Sequence, residues 1–246
     1  MARARGYAPL DATPESRALV AQILARAQAQ GPGHVAVLDL DGCLFDTRPR
    51  QVRIFRELAT THGLTPLYRV RDEHFVDWSL PTTMRNAGLP ETFVSEHADT
   101  VRHWWAARFF TSAYVEYDHA MPGAPALVRA LHAAGIHVVY LTGRDQTMRA
   151  GTERSLRAWG FPYDVERTTL LTKPTFEMDD TEFKHSALDH VGTLGTVTLY
   201  MDNEPANVNL FSRVHPESLV VFVETDHSPR PDEPDAHLPW LRSFLG

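Results

Sequence analysis

The sequence predicts a three-layer α/β/α fold built on a doubly wound, Rossmann-like parallel sheet, interrupted early by an all-helical insertion. Three observations predict it. Short apolar runs bounded by glycine or acid recur at residues 35–38, 137–141, 168–171, 196–201 and 219–223, and such runs suit strands buried on both faces. From Met121-Pro122-Gly123 onward these runs alternate with stretches of helical spacing, the signature of a parallel sheet with crossover helices. Residues 49–119 break that rhythm: they are rich in aromatic residues, read as helical throughout and are punctuated at Gly63, Pro66, Pro81 and Gly88-Leu89-Pro90. The expected division is a core of residues 1–48 and 119–246 carrying a helical cap domain of residues 49–118.

Taken in order, Pro14 suits a first helical turn, and Ala18, Leu19, Ile23, Leu24 and Ala27 recur at helical spacing until Gly31-Pro32-Gly33 stops them. Val35-Ala36-Val37-Leu38 is expected to be the central strand. Beyond the insertion, helices are expected over 124–134, 146–159, about 181–191 and 204–214. A proline-rich connection over 228–235 is expected to lead to a last short helix at 238–244.

The chain has 246 residues, 43% of them apolar and 22% charged, so it can bury a sizeable core and is neither disordered nor fibrous in composition. A formal charge of −7 and a pI near 6.0 argue against a nucleic-acid-binding surface spread over the whole protein. Cys43 is the one cysteine, which rules out an intramolecular disulfide framework and multi-cysteine metal sites. After Arg3 and Arg5 the N-terminus continues without an apolar signal segment, and no apolar run approaches the ~20 residues of a spanning helix. A cytoplasmic location and no membrane partner are therefore expected, and small anionic substrates would have to be neutralised locally.

The residues that carry chemistry sit at predicted strand ends, where ligands bind in open α/β sheets. Asp39-Leu40-Asp41-Gly42-Cys43-Leu44-Phe45-Asp46 follows the central strand. Two carboxylates one residue apart can reach a single small site if the backbone turns, and Gly42 permits that turn. At the next strand end stand Thr142, Gly143 and Arg144; at another, Asp202 followed by Asn203, Glu204 and Asn207. Two lysines are placed to serve such a site. Lys184 lies near the start of a helix that Asp180 or Thr181 would cap, and Lys173 precedes a proline at the end of a strand.

These segments, in this order, resemble the motifs of the haloacid dehalogenase superfamily, in the branch with a helical cap inserted after the first motif. The resemblance implies a phosphoric monoester hydrolase acting on a small phosphorylated metabolite. It implies Asp39 as a nucleophile forming an aspartyl-phosphate, Asp41 as acid and base, and Thr142 as donor to a phosphoryl oxygen. Lys184, with Lys173 as its rival, would neutralise charge. Asp39, Asp41 and Asp202 would be the ligands of Mg²⁺, helped by Asn203 or Asn207. Thr142, Gly143, Arg144 and Lys173 are the candidate substrate-binding residues. One departure stands out: the family's usual second acid after Asp202 is replaced by the neutral Asn203. An acid at position 41 also favours phosphate over halide chemistry, because a halide leaves without a proton.

The chemistry of these residues agrees with the resemblance, since phosphoryl transfer needs a nucleophile, a proton carrier, cationic charge and oxygen-binding donors at one place. Two alternatives remain open: a phosphotransferase or phosphomutase on the same scaffold, and a non-catalytic phospho-ligand-binding module. Asp46 is expected to fix the loop after Asp39, and Cys43 to be a small buried hydrophobe. The stretch of His103, Trp104, Trp105, Arg108, Phe109, Phe110 and Tyr114 reads mainly as the helix-packing core of a cap, the alternative being a substrate-facing or base-stacking role for one or two of its members. Arg144 is poised between a substrate anion and a surface ion pair. His185 and His227 are expected to be incidental.

Overall fold

The computed structural model describes residues 13–228 and 232–246; the N-terminal Arg3 and Arg5 and part of the proline-rich connection lie outside them. In chain order the elements are α1 (Pro14–Gln30), β1 (His34–Leu38), β2 (Phe45–Asp46), α2 (Arg48–His62), α3 (Leu80–Asn86), α4 (Glu91–Phe109), α5 (Ser112–Val115), β3 (His119–Ala120), α6 (Ala124–Ala133), β4 (His137–Asp145), α7 (Arg149–Ala158), β5 (Thr168–Lys173), α8 (Asp180–Leu194), β6 (Thr196–Asp202), α9 (Pro205–Val214), β7 (Leu219–Val223) and β8 (Trp240–Leu241). The main sheet runs β5-β4-β1-β6-β7-β8, every neighbouring pair parallel. The chain starts at β1, winds outward through β4 to β5, and returns to β6 on the other side of β1. That reversal beside β1 is the switch point at which doubly wound sheets open a crevice for ligand.

Alternation along β1 makes the layers. Ala36 and Leu38 join α1, α6 and α7 residues such as Ile23, Val128 and Leu156 in one buried cluster, while Val35 and Val37 join Val191 of α8 and Phe211 of α9 in another. Both faces of the strand are thus covered, which is why its sequence reads as an unbroken apolar run. The leading helix is capped by Thr13, whose hydroxyl accepts the Ser16 amide at 3.1 Å, with Pro14 at the first helical position.

Three details differ from the sequence expectation. Residues 238–244 do not form a helix: Trp240–Leu241 is a short parallel edge strand on β7, with Phe222 opposite Trp240 and Val223 opposite Leu241. Seven residues are too few to separate helix from strand by periodicity, and the exposed edge of β7 decides the matter. The pair β2 and β3, antiparallel across Asp46 and His119, was not foreseen because each is two residues long. The cap of α8 is Asp179, whose carboxylate accepts the amides of Thr181 at 2.9 Å and Glu182 at 3.0 Å, not Asp180 or Thr181 themselves.

Between β2 and β3 the chain builds a helical insertion with its own apolar cluster, in which Phe55 and Leu58 of α2 pack with Phe75, Met84 and Val101. Phe55 and Phe75 meet edge to face at 5.8 Å. The last turn of the insertion rests on the core: Ser112 Oγ donates to Thr147 O at 2.7 Å and Ser155 Oγ to Val115 O at 3.2 Å. Among the described residues no helix is long and apolar enough to cross a membrane.

Candidate active site

Asp39 follows β1 directly, and its amide still donates to Met201 O at 2.9 Å, so the sheet itself fixes this residue. The chain then tightens, with Gly42 N–H donating to Phe45 O at 2.8 Å and Phe45 N–H to Leu40 O at 2.8 Å. Gly42 adopts φ +74°, and a Cβ there would collide with the amide nitrogen of Asn203. Only glycine lets this loop lie so close to the end of β6. Asp46 closes the loop as expected, accepting the Arg48 amide at 3.0 Å and the Arg48 guanidinium at 2.8 and 2.7 Å.

Lys184 reaches the same strand ends from α8. Its ammonium donates to Asp39 Oδ1 at 2.6 Å and to Asp202 Oδ2 at 2.7 Å, all three side chains being buried. Desolvation alone would lower its pKa, but the Asp202 and Asp39 carboxylates outweigh it and hold the lysine well above its ordinary value. Burial pushes the Asp39 carboxyl up, against the pull of Lys184. Asp202 is further fixed by the Tyr200 hydroxyl at 2.8 Å, the Asn207 amide at 3.1 Å and the Glu204 backbone N–H at 2.8 Å. Lys173 does not join them. It pairs with Asp180 at 2.6 Å, donates to the carbonyls of Phe176 and Met178, and does not line the cleft. Of the two rival lysines, the geometry brings only Lys184 to Asp39.

Thr142 and Gly143 sit at the tip of β4, where the ladder with β5 slips between Thr142 and Asp145. A bulge of this kind re-aims side chains, and here it accompanies Arg144 turning inward rather than onto the surface. Arg144 Nε and Nη2 donate to Asp41 Oδ2 and Oδ1 at 2.8 and 2.7 Å, and Nη2 also donates to Asp118 Oδ2 at 2.6 Å. Arg50, the fully buried cation near the start of α2, donates to Asp41 Oδ1 at 2.8 Å, and its Nε stands 2.9 Å from Asp118 Oδ1. Desolvation raises the Asp41 pKa, but Arg144 and Arg50 overcome it and hold the carboxyl well below the usual range. Asp118 is pushed up to about 7 because burial dominates its two arginine neighbours.

Asp39, Asp41, Thr142, Gly143, Arg144, Lys184, Asn203 and Asn207 line one cavity of about 150 Å³, closed on the insertion side by Trp78, Phe109 and Phe110. A family model described as a haloacid dehalogenase-like hydrolase matches residues 34–202, which spans β1 through Asp202. The chain belongs to the haloacid dehalogenase-like hydrolases. Solved structures of similar fold include a candidate phosphatase of Clostridium difficile, 12% identical over 82% of this chain and 90% of that one, with a TM-score of 0.51. Another is protein tyrosine kinase A of Mycobacterium tuberculosis, 19% identical over 86% of this chain and 94% of that one, with a TM-score of 0.50. At such identities both speak for the fold alone. No curated protein matches the sequence.

Within this haloacid dehalogenase-like site the expected convergence of three carboxylates on one cation is not what the side chains adopt. Among the described residues no three His, Cys, Asp or Glu side chains are grouped to hold a metal, and the Asp41 carboxylate is paired with the Arg144 and Arg50 guanidinium groups. Asp39 and Asp202 do face a common point, the Lys184 ammonium. Beside them Asn203 is buried, its Nδ2 donating to Asp226 O at 2.6 Å while its Oδ1 has no partner among the described residues. Two carboxylates and an unused amide oxygen suit Mg²⁺, a hard cation that takes few protein oxygens and keeps water.

Sequence reasoning missed Arg50, Asp118 and Tyr200. Tyr200 was legible in principle, since its side chain lies two residues before Asp202 on the same face of β6. Arg50 and Asp118 carry no local signal, because they meet only where the chain enters and leaves the insertion. Cys43 is buried as expected, with its Sγ 3.7 Å from Met201 O. In the aromatic stretch Trp105 stacks on Phe109 at 4.3 Å, while Phe109 and Phe110 reach the cavity. Neither His185 nor His227 lines it.

Proposed function

We propose that the protein is a magnesium-dependent phosphatase that hydrolyses a small phosphate monoester through an aspartyl-phosphate on Asp39, with the helical insertion acting as its cap. The observation that carries this reading is the bridge of buried Lys184 between Asp39, at 2.6 Å, and Asp202, at 2.7 Å, in a cavity shared with Thr142. It concentrates an anionic nucleophile, a cation and a hydroxyl donor at one sheet edge, which is what phosphoryl transfer requires.

In the first step an Asp39 oxygen attacks phosphorus in line as the bond to the ester oxygen breaks. The Lys184 ammonium and the Thr142 hydroxyl hold the non-bridging oxygens. The Thr142 oxygen already accepts the Arg144 amide at 3.2 Å, which orients the hydroxyl hydrogen elsewhere. Asp39 and Asp202, with the help of Asn203, would hold Mg²⁺, which would supply further positive charge to the transferring group. In the second step Asp41 takes a proton from water, the water attacks phosphorus, and Asp39 is restored as inorganic phosphate leaves. Its pairing with Arg144 and Arg50 keeps Asp41 ionised, as a base requires. In the first step Asp41, protonated once those pairs open, gives its proton to the leaving oxygen and so becomes the carboxylate that the second step uses as base; Arg50 lies on the insertion, so movement of the cap offers a route to the open state.

A cytoplasmic location and a free metabolite as substrate are proposed with it. Its test is release of inorganic phosphate from p-nitrophenyl phosphate by purified protein. Turnover is expected with Mg²⁺, loss of turnover with chelator, and none in Asp39→Asn. Unchanged turnover in that variant contradicts Asp39 as nucleophile.

A further inference from the structure

The core and the insertion contribute differently to the cavity. From the core come Asp39, Thr142, Lys184 and other polar groups; from the insertion come Trp78, Phe109 and Phe110, all aromatic. Phe109 is edge-on to Trp78 at 5.8 Å and to Phe110 at 5.1 Å, and Phe110 continues the cluster to the exposed Phe176 at 4.8 Å. Phe109 itself is held in place by Trp105 stacked at 4.3 Å and by the Arg50 guanidinium 3.9 Å from its ring centre. Phe109, at the centre of the wall, is thus braced by its neighbours. Its one polar group is the Trp78 indole N–H, which is buried and has no partner among the described residues.

A polyol held against this wall would lose water from its hydroxyls and find almost nothing to replace it, which is costly. An aromatic ring would meet ring edges and faces in the geometry aromatic pairs prefer. Resting on the phosphatase reading above, we infer that the substrate is a phosphate monoester whose leaving group carries an aromatic ring next to the ester.

The experiment compares three esters of primary alcohols with the wild-type enzyme in Mg²⁺: benzyl phosphate, cyclohexylmethyl phosphate and ribose 5-phosphate. Their leaving oxygens are chemically alike, so differences in kcat/KM report the contacts of the remainder. Benzyl phosphate is expected to exceed cyclohexylmethyl phosphate by several-fold, the scale of an aromatic contact, and ribose 5-phosphate by at least roughly tenfold. Phe110→Leu and Trp78→Leu are expected to raise KM for benzyl phosphate and to narrow its advantage over the cyclohexylmethyl ester. Equal or better turnover of ribose 5-phosphate by wild type overturns the aromatic substrate and leaves the phosphatase reading standing. Equal turnover of the benzyl and cyclohexylmethyl esters also overturns it, since the wall would then be merely apolar. Release of phosphate from none of the three overturns the phosphatase reading, and this inference with it.

Discussion

The guanidinium of Arg50, wholly buried near the start of α2, donates to Asp41 Oδ1 at 2.8 Å, so a helix of the insertion grips the loop that follows the central strand. Asp118, where the chain returns to the core, closes a cluster of two cations and two acids with Arg144. Removing one member of such a buried set leaves its partners uncompensated, which costs more than the set contributes when whole. Arg50→Met is therefore expected to destabilise the protein by about 3–5 kcal/mol, read from the midpoint of urea unfolding at constant m. A loss under about 1 kcal/mol would mean that Arg144 alone satisfies both acids.

Asp118 gives the cluster a pH signature. Its folded pKa of about 7 lies above the unfolded value of ~3.9. The folded state thus binds a proton more tightly, and the stability this contributes is complete below about pH 4 and lost as pH rises through about 7. Wild type is expected to lose stability relative to Asp118→Asn across that window, by on the order of 4 kcal/mol, and to run parallel to it above pH 8. Parallel curves from pH 4 to 7 would contradict the assignment.

The two lysines make opposite predictions. Lys184→Ala removes the cation between Asp39 and Asp202 and is expected to lower kcat by on the order of 100-fold or more. Lys173 braces Asp180 and the carbonyls of Phe176 and Met178, so Lys173→Ala is expected to cost less than about tenfold. Kinetics of the two purified variants on one ester, with far-ultraviolet circular dichroism to confirm folding, decides between them.

Gly42 tests how closely the loops are packed. Gly42→Ala places a Cβ against the Asn203 amide in a backbone region that alanine avoids, and about 1–3 kcal/mol of stability is expected to be lost. A neutral result in thermal unfolding would show that Asn203 can step aside.

Much of this was legible in the sequence because strand ends announce themselves. Asp39, Thr142 and Asp202 each follow an apolar run, and Lys184 follows a helix start, so one-dimensional pattern places all four at one edge of a parallel sheet. The buried cluster was not legible. Arg50 and Asp118 are far apart in sequence and look like ordinary charges until the insertion folds back, and Arg144 reads equally as a substrate contact or a surface ion pair until the slip in β4 is seen. Trp240–Leu241 was taken for helix because its pairing with β7 is a tertiary contact, absent from any local window.

The central claim is that Asp39 carries the phosphoryl group. Rapid mixing of the enzyme with a phosphate ester in Mg²⁺, acid quench, borohydride reduction and peptide mass analysis reads it directly. The expected result is homoserine in place of aspartate at position 39 alone, dependent on substrate and absent from Asp39→Asn. Steady turnover with residue 39 unreduced, or reduction at another carboxylate, would contradict it.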